Sequence, residues 1–335
     1  MNAQELKTFV EENPKLVSKK VAGDGIYVLK YKRRVFYDKL WNEFLEECRG
    51  TIVDEDFNVI ARPFTKIYNF RIEDKSPVLS DDTSITAYRK VNGFLCNLTW
   101  HNNDILVSTT GSTDSSHVTM AKEMMLKEQS WNNWIAATSM NRGYTMMFEC
   151  VHPDDPHIIP EEAGMYFLGW RENTWDSKVN GHGAKIAKHW REFAIGLLRC
   201  KYAESFETTV GELVELSKTV QHEGFVFYTA DGVAAKIKSP HYLISKFVAR
   251  NPNTDKLMNS QIKQTIDEEY YPLIDHIQAN IVEFTVMGEQ ARLAWVREFL
   301  ESEWHTCPFK EEIHGDSESM CQCTSEETQY CANNI

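Results

Sequence analysis

The stretch Lys90-Val91-Asn92-Gly93, running into Phe94-Leu95-Cys96-Asn97-Leu98-Thr99-Trp100, puts a lysine beside a glycine at the mouth of an apolar strand. Glycine lets a ligand approach the backbone closely, so a lysine at such an edge can serve as a covalent nucleophile. A second copy of the tetrapeptide, Lys178-Val179-Asn180-Gly181, acts as an internal control. That copy leads into Ala184-Lys185-Ile186-Ala187-Lys188, a helix start, whereas the first opens a hairpin. Its second strand is Ile105–Thr109, reached through His101-Asn102-Asn103-Asp104.

Only the first copy has suitable companions downstream. Glu149 ends the apolar run Met146-Met147-Phe148-Glu149, and Glu223-Gly224-Phe225-Val226 begins another strand. Its hairpin partner, turned by Ala230-Asp231-Gly232, ends in Lys236-Ile237-Lys238. Period-2 alternation puts both ammonium groups on one face. Two lysines on one strand face imply either a solvated face or a bound anion.

Outward from this centre, residues 2–12 read as an amphipathic helix carrying Leu6, Phe9 and Val10, ended near Pro14. Short strands are expected at Ile26–Leu29, Thr51–Val53 and Val59–Ala61, with Asp54-Glu55-Asp56 as a turn. Further strands are expected at Tyr144–Val151 and Met165–Trp170, and helices at 118–139, 184–202 and 209–219. Asn251-Pro252-Asn253 breaks the chain, and residues 255–304 show helical spacing. The pattern predicts an α+β domain over residues 1–250, a small helical domain over 251–304 and an acidic tail over 305–335.

Composition bounds the class. The chain has 335 residues, 42% of them hydrophobic and 12% aromatic, which fits a folded globular protein rather than a disordered one. No apolar run approaches the ~20 residues that span a bilayer, so a cytoplasmic protein without membrane association is expected. Of the net charge of −13, the last 35 residues supply −7. From Lys15 to Arg34, seven basic residues face one acid, Asp24, a local stripe able to meet phosphates despite the acidic total. Cys48, Cys96, Cys150 and Cys200 are spaced like buried reduced thiols. Cys307, Cys321, Cys323 and Cys331 crowd the tail beside His305 and His314, leaving a zinc site or a flexible acidic tail open.

Taken in order, these motifs resemble the covalent nucleotidyltransferases, the polynucleotide ligases and mRNA capping enzymes. Lys90 matches their K-x-D-G nucleophile motif, with Asn92 in place of the usual Asp, as in fungal tRNA ligases. Phe148-Glu149, Glu223–Val226 and Lys236-Ile237-Lys238 match three later motifs. Glu47-Cys48-Arg49-Gly50, then Ala61-Arg62-Pro63-Phe64-Thr65-Lys66-Ile67-Tyr68-Asn69-Phe70, and Trp170-Arg171-Glu172-Asn173 resemble the RNA ligase 1 family of T-even bacteriophages. Thr109-Thr110-Gly111-Ser112 departs from it, since that family has a lysine before the glycine.

The resemblance implies an ATP-grasp-like ligase domain of antiparallel sheets with flanking helices. It also implies joining of an RNA 5′-phosphate to a 3′-hydroxyl end, in RNA or tRNA repair, with ATP and Mg2+. Lys90 would take AMP from ATP. A free lysine has a pKa of ~10.4, and cations such as Lys236, Lys238 and magnesium would lower it. Arg49 and Lys66 would hold the β- and γ-phosphates, the alternative for Arg49 being a surface ion pair with Glu46 or Glu47. Tyr31, Asn92, Gly93, Glu149 and Glu223 would complete the nucleotide site, Tyr31 alternatively being a packed strand aromatic. Asp267 and Glu268 lie where the family's metal-binding carboxylates fall, or else on a solvated helix face. A DNA ligase or capping enzyme would continue into a β-rich OB domain, and a non-catalytic RNA-binding relative would have lost the lysine. No protein partner is implied.

Overall fold

Alternating apolar residues between Val17 and Ala61 build an antiparallel meander: β1 (Val17–Gly23), β2 (Ile26–Tyr31), β3 (Arg49–Asp54) and β4 (Val59–Ala61). The computed structural model describes residues 1–23, 25–155, 157–175, 197–250, 257, 259, 261–264, 266 and 268–302. β1 was not expected, because Lys19-Lys20 interrupts the apolar alternation. It is an edge strand, where charge is tolerated because one side meets water. The helix Ala3–Glu12 is fixed by a capping box between Asn2 and Glu5 and lays Leu6 and Val10 against Leu29, Leu45 and Val53.

The remaining strands are β5 (Tyr68–Asn69), β6 (Ser84–Arg89), β7 (Phe94–His101), β8 (Asp104–Ser108), β9 (Tyr144–Val151), β10 (Gly164–Glu172), β11 (Lys201–Tyr202), β12 (Ser205–Thr209), β13 (Gly224–Thr229) and β14 (Ala234–Lys238). They form two five-stranded sheets, ordered β11-β10-β9-β7-β8 and β12-β6-β13-β14-β5. All pairs are antiparallel except β10 with β11 and β14 with β5. The β7–β8 turn has Asn102 at φ 50° and Asn103 at φ 61°, the left-handed pair that a two-residue hairpin needs.

One face of each large sheet is covered by helices. Ser116–Glu128 and Trp131–Met140 bury Val118, Met125 and Trp134 against Cys96, Leu98, Phe148 and Phe167. Periodicity predicted one helix over 118–139. The backbone turns extended at Gln129 and Ser130 instead, and the Trp134 indole then donates to the Met125 carbonyl at 2.8 Å. The helix Val210–Thr219, capped by Thr209 and Glu212, packs Val210, Leu213 and Val214 on Ile85, Phe225, Phe227 and Ile237. The helix expected over 184–202 falls largely outside the described residues, and its expected end, Lys201–Tyr202, is β11.

Helices Pro240–Arg250, Tyr271–Ala279, Ile281–Val286 and Glu289–Ser302 share one core that includes Leu243, Leu273, Ile277, Phe284, Val296 and Leu300. Ile159, from the connection between β9 and β10, enters the same core. The tail from residue 303, with its cysteines, lies outside the described residues. Cys48, Cys96, Cys150 and Cys200 are buried free thiols, as their spacing predicted. Among the described residues, no helix is long and apolar enough to cross a membrane. The architecture is thus mixed α+β, with antiparallel-rich sheets and flanking helices.

Candidate active site

Lys90 follows β6 directly, and its N–H donates to the Gly224 carbonyl at 2.8 Å, so the loop that carries it is stitched to the start of β13. Two glycines make this possible. A Cβ on Gly93 would lie 2.4 Å from the Cys150 carbonyl oxygen, and one on Gly224, at φ +127°, would lie 2.1 Å from that of Ile237. The glycine of the tetrapeptide is therefore required by strand packing on β9. Its N–H donates to Glu149 Oε1 at 3.1 Å, which aims that carboxylate at the loop.

An ionic chain runs inward from the lysine. Lys90 Nζ donates to Glu223 Oε2 at 2.8 Å, and Glu223 Oε1 lies 3.6 Å from Lys238 Nζ. Lys238 in turn donates to Glu269 Oε1 at 2.6 Å, and Lys246 donates to the same oxygen at 2.9 Å. Of these five side chains only that of Lys90, 23% exposed, reaches appreciably into the open. Charges this deep persist because each is paired; an unpaired one would neutralise.

Burial disfavours the Lys90 ammonium, but Glu223 and then Glu149 outweigh burial and hold its pKa above the ordinary lysine value. The sequence suggested that neighbouring cations would depress it. Lys238 does act in that direction, yet two carboxylates stand closer in effect. Burial opposes ionisation of Glu223, and Lys90 and Lys238 overcome it, so Glu223 stays ionised below the usual carboxylate range. Glu149 goes the other way. Burial, reinforced by the Glu223 charge against the pull of Lys90, pushes it up to about 7.

That shift has a sign. A carboxyl raised from its ordinary value of 4.5 to about 7 stabilises the fold below pH ~4.5 and loses that contribution as pH climbs through 7. Glu149→Gln cannot ionise, so the variant is expected to gain on the wild type as pH rises, by about 1–3 kcal/mol at pH 8. Thermal unfolding at pH 5 and pH 8 measures it; an equal gap at both would refute the burial of this charge.

The Lys90 side chain opens on a cleft of about 270 Å³. Its cationic lining is Arg49, Arg89 and Lys236, and its walls are Phe64, Tyr88, Phe167, Leu168 and Tyr228. Lys236 and Lys238 share a strand face, as expected, while the alternating Ala235 and Ile237 enter the core. They differ in burial, however. Lys236 lines the cleft, whereas Lys238 is locked between two glutamates. The arrangement presents one amine to an electrophile, with cations placed to receive an anion and an apolar wall for a planar group.

Arg49 lines the cleft and donates from Nη1 to the Thr65 carbonyl at 2.9 Å. Neither expected carboxylate pairs with it. Glu46 accepts from the Tyr68 hydroxyl at 2.7 Å and meets Lys75. Glu47 is buried between two arginines: Arg171 donates to its oxygens at 2.6 and 2.8 Å, and Arg62 donates at 2.8 and 3.3 Å. Three segments singled out in the sequence, around Glu47, Arg62 and Arg171, therefore converge on one buried knot behind Arg49.

Other candidates fall elsewhere. Lys66 does not line the cleft: its ammonium pairs with Glu73 and lies 4.5 Å from the ring centre of Trp41, with Phe36 and Tyr68 each at 5.1 Å. Tyr31 packs edge-on to Phe36 and Trp41 beside it, as a strand aromatic. Asn92 is buried, and its amide, oriented to satisfy both neighbours, donates to Glu223 Oε2 at 3.2 Å and accepts from the Ile159 N–H. It braces the glutamate instead of facing the cleft. Asp267 lies outside the described residues, and Glu268 belongs to a short 3-10 turn, Glu268–Tyr270. The acid that reaches the lysines is the next residue, Glu269, buried where a solvated helix face was the alternative. Arg89, which lines the cleft and pairs with Glu161 at 2.8 Å, was also missed, although it directly precedes Lys90.

Residues 47–247 match the family model described as RNA ligase. No curated protein matches the sequence. The fold is similar to that of an archaeal ATP-dependent RNA ligase, at 10% identity and TM-score 0.56 over 90% of this chain and 79% of that one. It is similar also to a putative ATP-dependent DNA ligase from Aquifex aeolicus, at 13% identity and TM-score 0.54, covering 90% and 78% of the two chains. Such identities speak for the fold, and the family match, which spans more than half of the sequence and contains Lys90, Glu149, Glu223, Lys236 and Lys238, speaks for the lineage. The chain belongs to the RNA ligase family.

Proposed function

We propose that the protein is an ATP-dependent RNA ligase acting through a covalent lysyl-AMP on Lys90. The observation that carries this reading is the Lys90 amine, held 2.8 Å from Glu223 at the edge of a cleft that also exposes Arg49 and Lys236. In the first step Nζ attacks the α-phosphorus of ATP; a P–N bond forms and the bond to the departing pyrophosphate breaks. AMP then passes to an RNA 5′-phosphate, and an RNA 3′-hydroxyl displaces it. Glu223 aims the amine. Lys236 supplies charge toward the α-phosphate, and Arg49 takes the pyrophosphate, where a planar fork suits phosphate oxygens. Tyr88, Tyr228 and Phe64 offer surfaces for the adenine base.

Magnesium fits this site as the partner of bound phosphates rather than in a protein cage. Among the described residues no group of three or more His, Cys, Asp or Glu could hold a metal, whereas Glu149, a carboxyl poised near neutrality at the cleft, suits a hydrated cation. Bound there, the ion would neutralise phosphate charge. Residues 1–250 would form the adenylyltransferase domain and the helices beyond it a substrate-selecting element. A DNA-joining reading has less support, since residues 271–302 are helices where an OB domain would be β-rich. RNA repair in the cytoplasm is the setting we infer.

Incubation with α-labelled ATP tests the reading: the protein acquires label if it is a ligase and none if it only binds RNA. A second experiment separates the cations. Arg49→Ala is expected to slow adenylylation about 30- to 1000-fold while still joining pre-adenylylated RNA. Lys236→Ala is expected to impair both, because the α-phosphate reacts in every step. Equal losses on pre-adenylylated RNA would remove Arg49 from the leaving-group site.

A further inference from the structure

Lys90 sits in a segment whose other members are all fastened. Val91 is buried with Val151, Tyr166 and Ala203 in a small core of its own. The residues on either side turn to one acid, Glu161, in the connection between β9 and β10. Glu161 Oε2 accepts from Arg89 Nη2 at 2.8 Å, and Oε1 accepts from the Asn92 N–H at a longer 3.4 Å. A single carboxylate thus spans Lys90, holding the residue before it and the second residue after it. The same connection adds a third tie, since the Ile159 N–H donates to the Asn92 side chain at 3.2 Å.

Burial shows where the charge of this acid is committed. The Glu161 side chain is 3% exposed, and a carboxylate that deep needs donors on both oxygens. Both are spent on the Lys90 segment, and Glu161 is absent from the lining of the cleft. It is therefore placed to hold the chain around Lys90, not a nucleotide. The next acid, Glu162, is 80% exposed and pairs with Lys201 instead. At the amine itself, Glu223 anchors the far end of the Lys90 side chain. In-line attack also needs the near end fixed, because a displacement of about 1 Å in a reacting group can cost roughly 100-fold in rate.

We infer that Glu161 is the positioning residue for Lys90, its two oxygens fixing the chain on both sides of the lysine so that the amine meets the α-phosphorus in line. This rests on the ligase reading for the reaction, and hydrogen exchange tests the clamp without it. Glu161→Gln keeps the size but turns an amide N–H2 toward one of the two donors. Its kcat for adenylylation is expected to fall about 10- to 100-fold with the KM for ATP within about twofold of wild type, because aim is lost and nucleotide contact is not. Joining of pre-adenylylated RNA, in which Lys90 forms no bond, should stay within about threefold of wild type. Glu161→Ala, which removes both acceptors without adding a donor, should show the same pattern. Either variant should fold, since Arg89 is 28% exposed and keeps its charge in contact with water. Glu162→Gln, which loses only an exposed ion pair, should behave as wild type. Exchange of the backbone amides of residues 90–93, read by mass spectrometry, should quicken about tenfold or more in both Glu161 variants. If wild type takes no label from ATP, the ligase reading fails, and exchange alone then decides the clamp. Unchanged exchange, or unchanged kcat in a protein that labels, overturns the proposal. So does an equal loss on pre-adenylylated RNA, which would mark a residue that only supports the fold.

Discussion

Lys90→Ala is expected to take up no label from α-labelled ATP, a loss of at least about 10⁴-fold, because the variant has no nucleophile for the α-phosphorus. Alanine also strips Glu223 of its 2.8 Å partner, so lost charge and lost chemistry are confounded in that variant alone. Lys90→Arg separates them. Arginine keeps a cation beside Glu223 and Glu149 but stays protonated at any working pH, so it cannot attack. It should fold like wild type and remain unlabelled. Lys178→Ala, in the identical tetrapeptide outside the described residues, should label normally. Labelling of the arginine variant, or equal loss from both alanine variants, would move the nucleophile elsewhere.

The raised pKa of Lys90 adds a kinetic corollary. With Glu223 and Glu149 holding the ammonium, the reactive amine is a minor form at neutral pH, and its share grows tenfold per pH unit below the pKa. The paired cation that stabilises the unliganded site is the protonation state that cannot react.

How far this site was legible depends on whether the signal was local. Strands Phe94–His101 and Ala234–Lys238 and the helix Val210–Thr219 were readable from alternation, turn residues and caps, all properties of neighbours in sequence. Lys90 and Glu223 sit just outside β6 and β13, and Glu149 and Lys236 within β9 and β14, so the four come together through elements whose own signals are local. Lys66 and Tyr31 lie outside the cleft lining, in surroundings supplied by Phe36, Trp41 and Glu73, which come from short helices and loops that carry no period. Glu269, the carboxylate that enters the core, is one residue beyond the expected Glu268, within the same 3-10 turn. A run of adjacent acids carries no sequence signal that Glu269 turns inward. Arg49 was expected either to hold phosphate or to pair with Glu46 or Glu47; Glu46 meets Tyr68 and Lys75 instead, and Glu47 is taken by Arg62 and by Arg171, 124 residues away from that glutamate.

That distant arginine gives the largest stability effect expected in the chain. Glu47→Ala leaves Arg62 and Arg171, both nearly inaccessible to water, facing each other without their shared carboxylate. Breaking a buried ionic group this way costs about 3–5 kcal/mol, which in a chain of this size lowers the melting temperature by roughly 4–7 °C. The penalty should depend on pH. Burial disfavours ionised Glu47, but the two arginines prevail and hold its pKa below the ordinary 4.5, so its contribution is present above that value and lost as pH falls below it. Wild type and variant should therefore converge in acid. A triple variant replacing Glu47, Arg62 and Arg171 with apolar residues of similar volume should recover most of the stability, since no charge is left unpaired. It should not recover full adenylylation. The knot joins the chain at Glu47, two residues before Arg49, to the segment where Arg171 binds the Pro63 carbonyl, two residues before the Thr65 carbonyl that receives Arg49. Apolar packing replaces the energy of that junction without reproducing its directionality, so Arg49 would lose its aim. A triple variant as active as wild type would mean that Arg49 is placed by its own strand, and a Glu47→Ala protein with an unchanged melting curve would mean that the knot carries no weight.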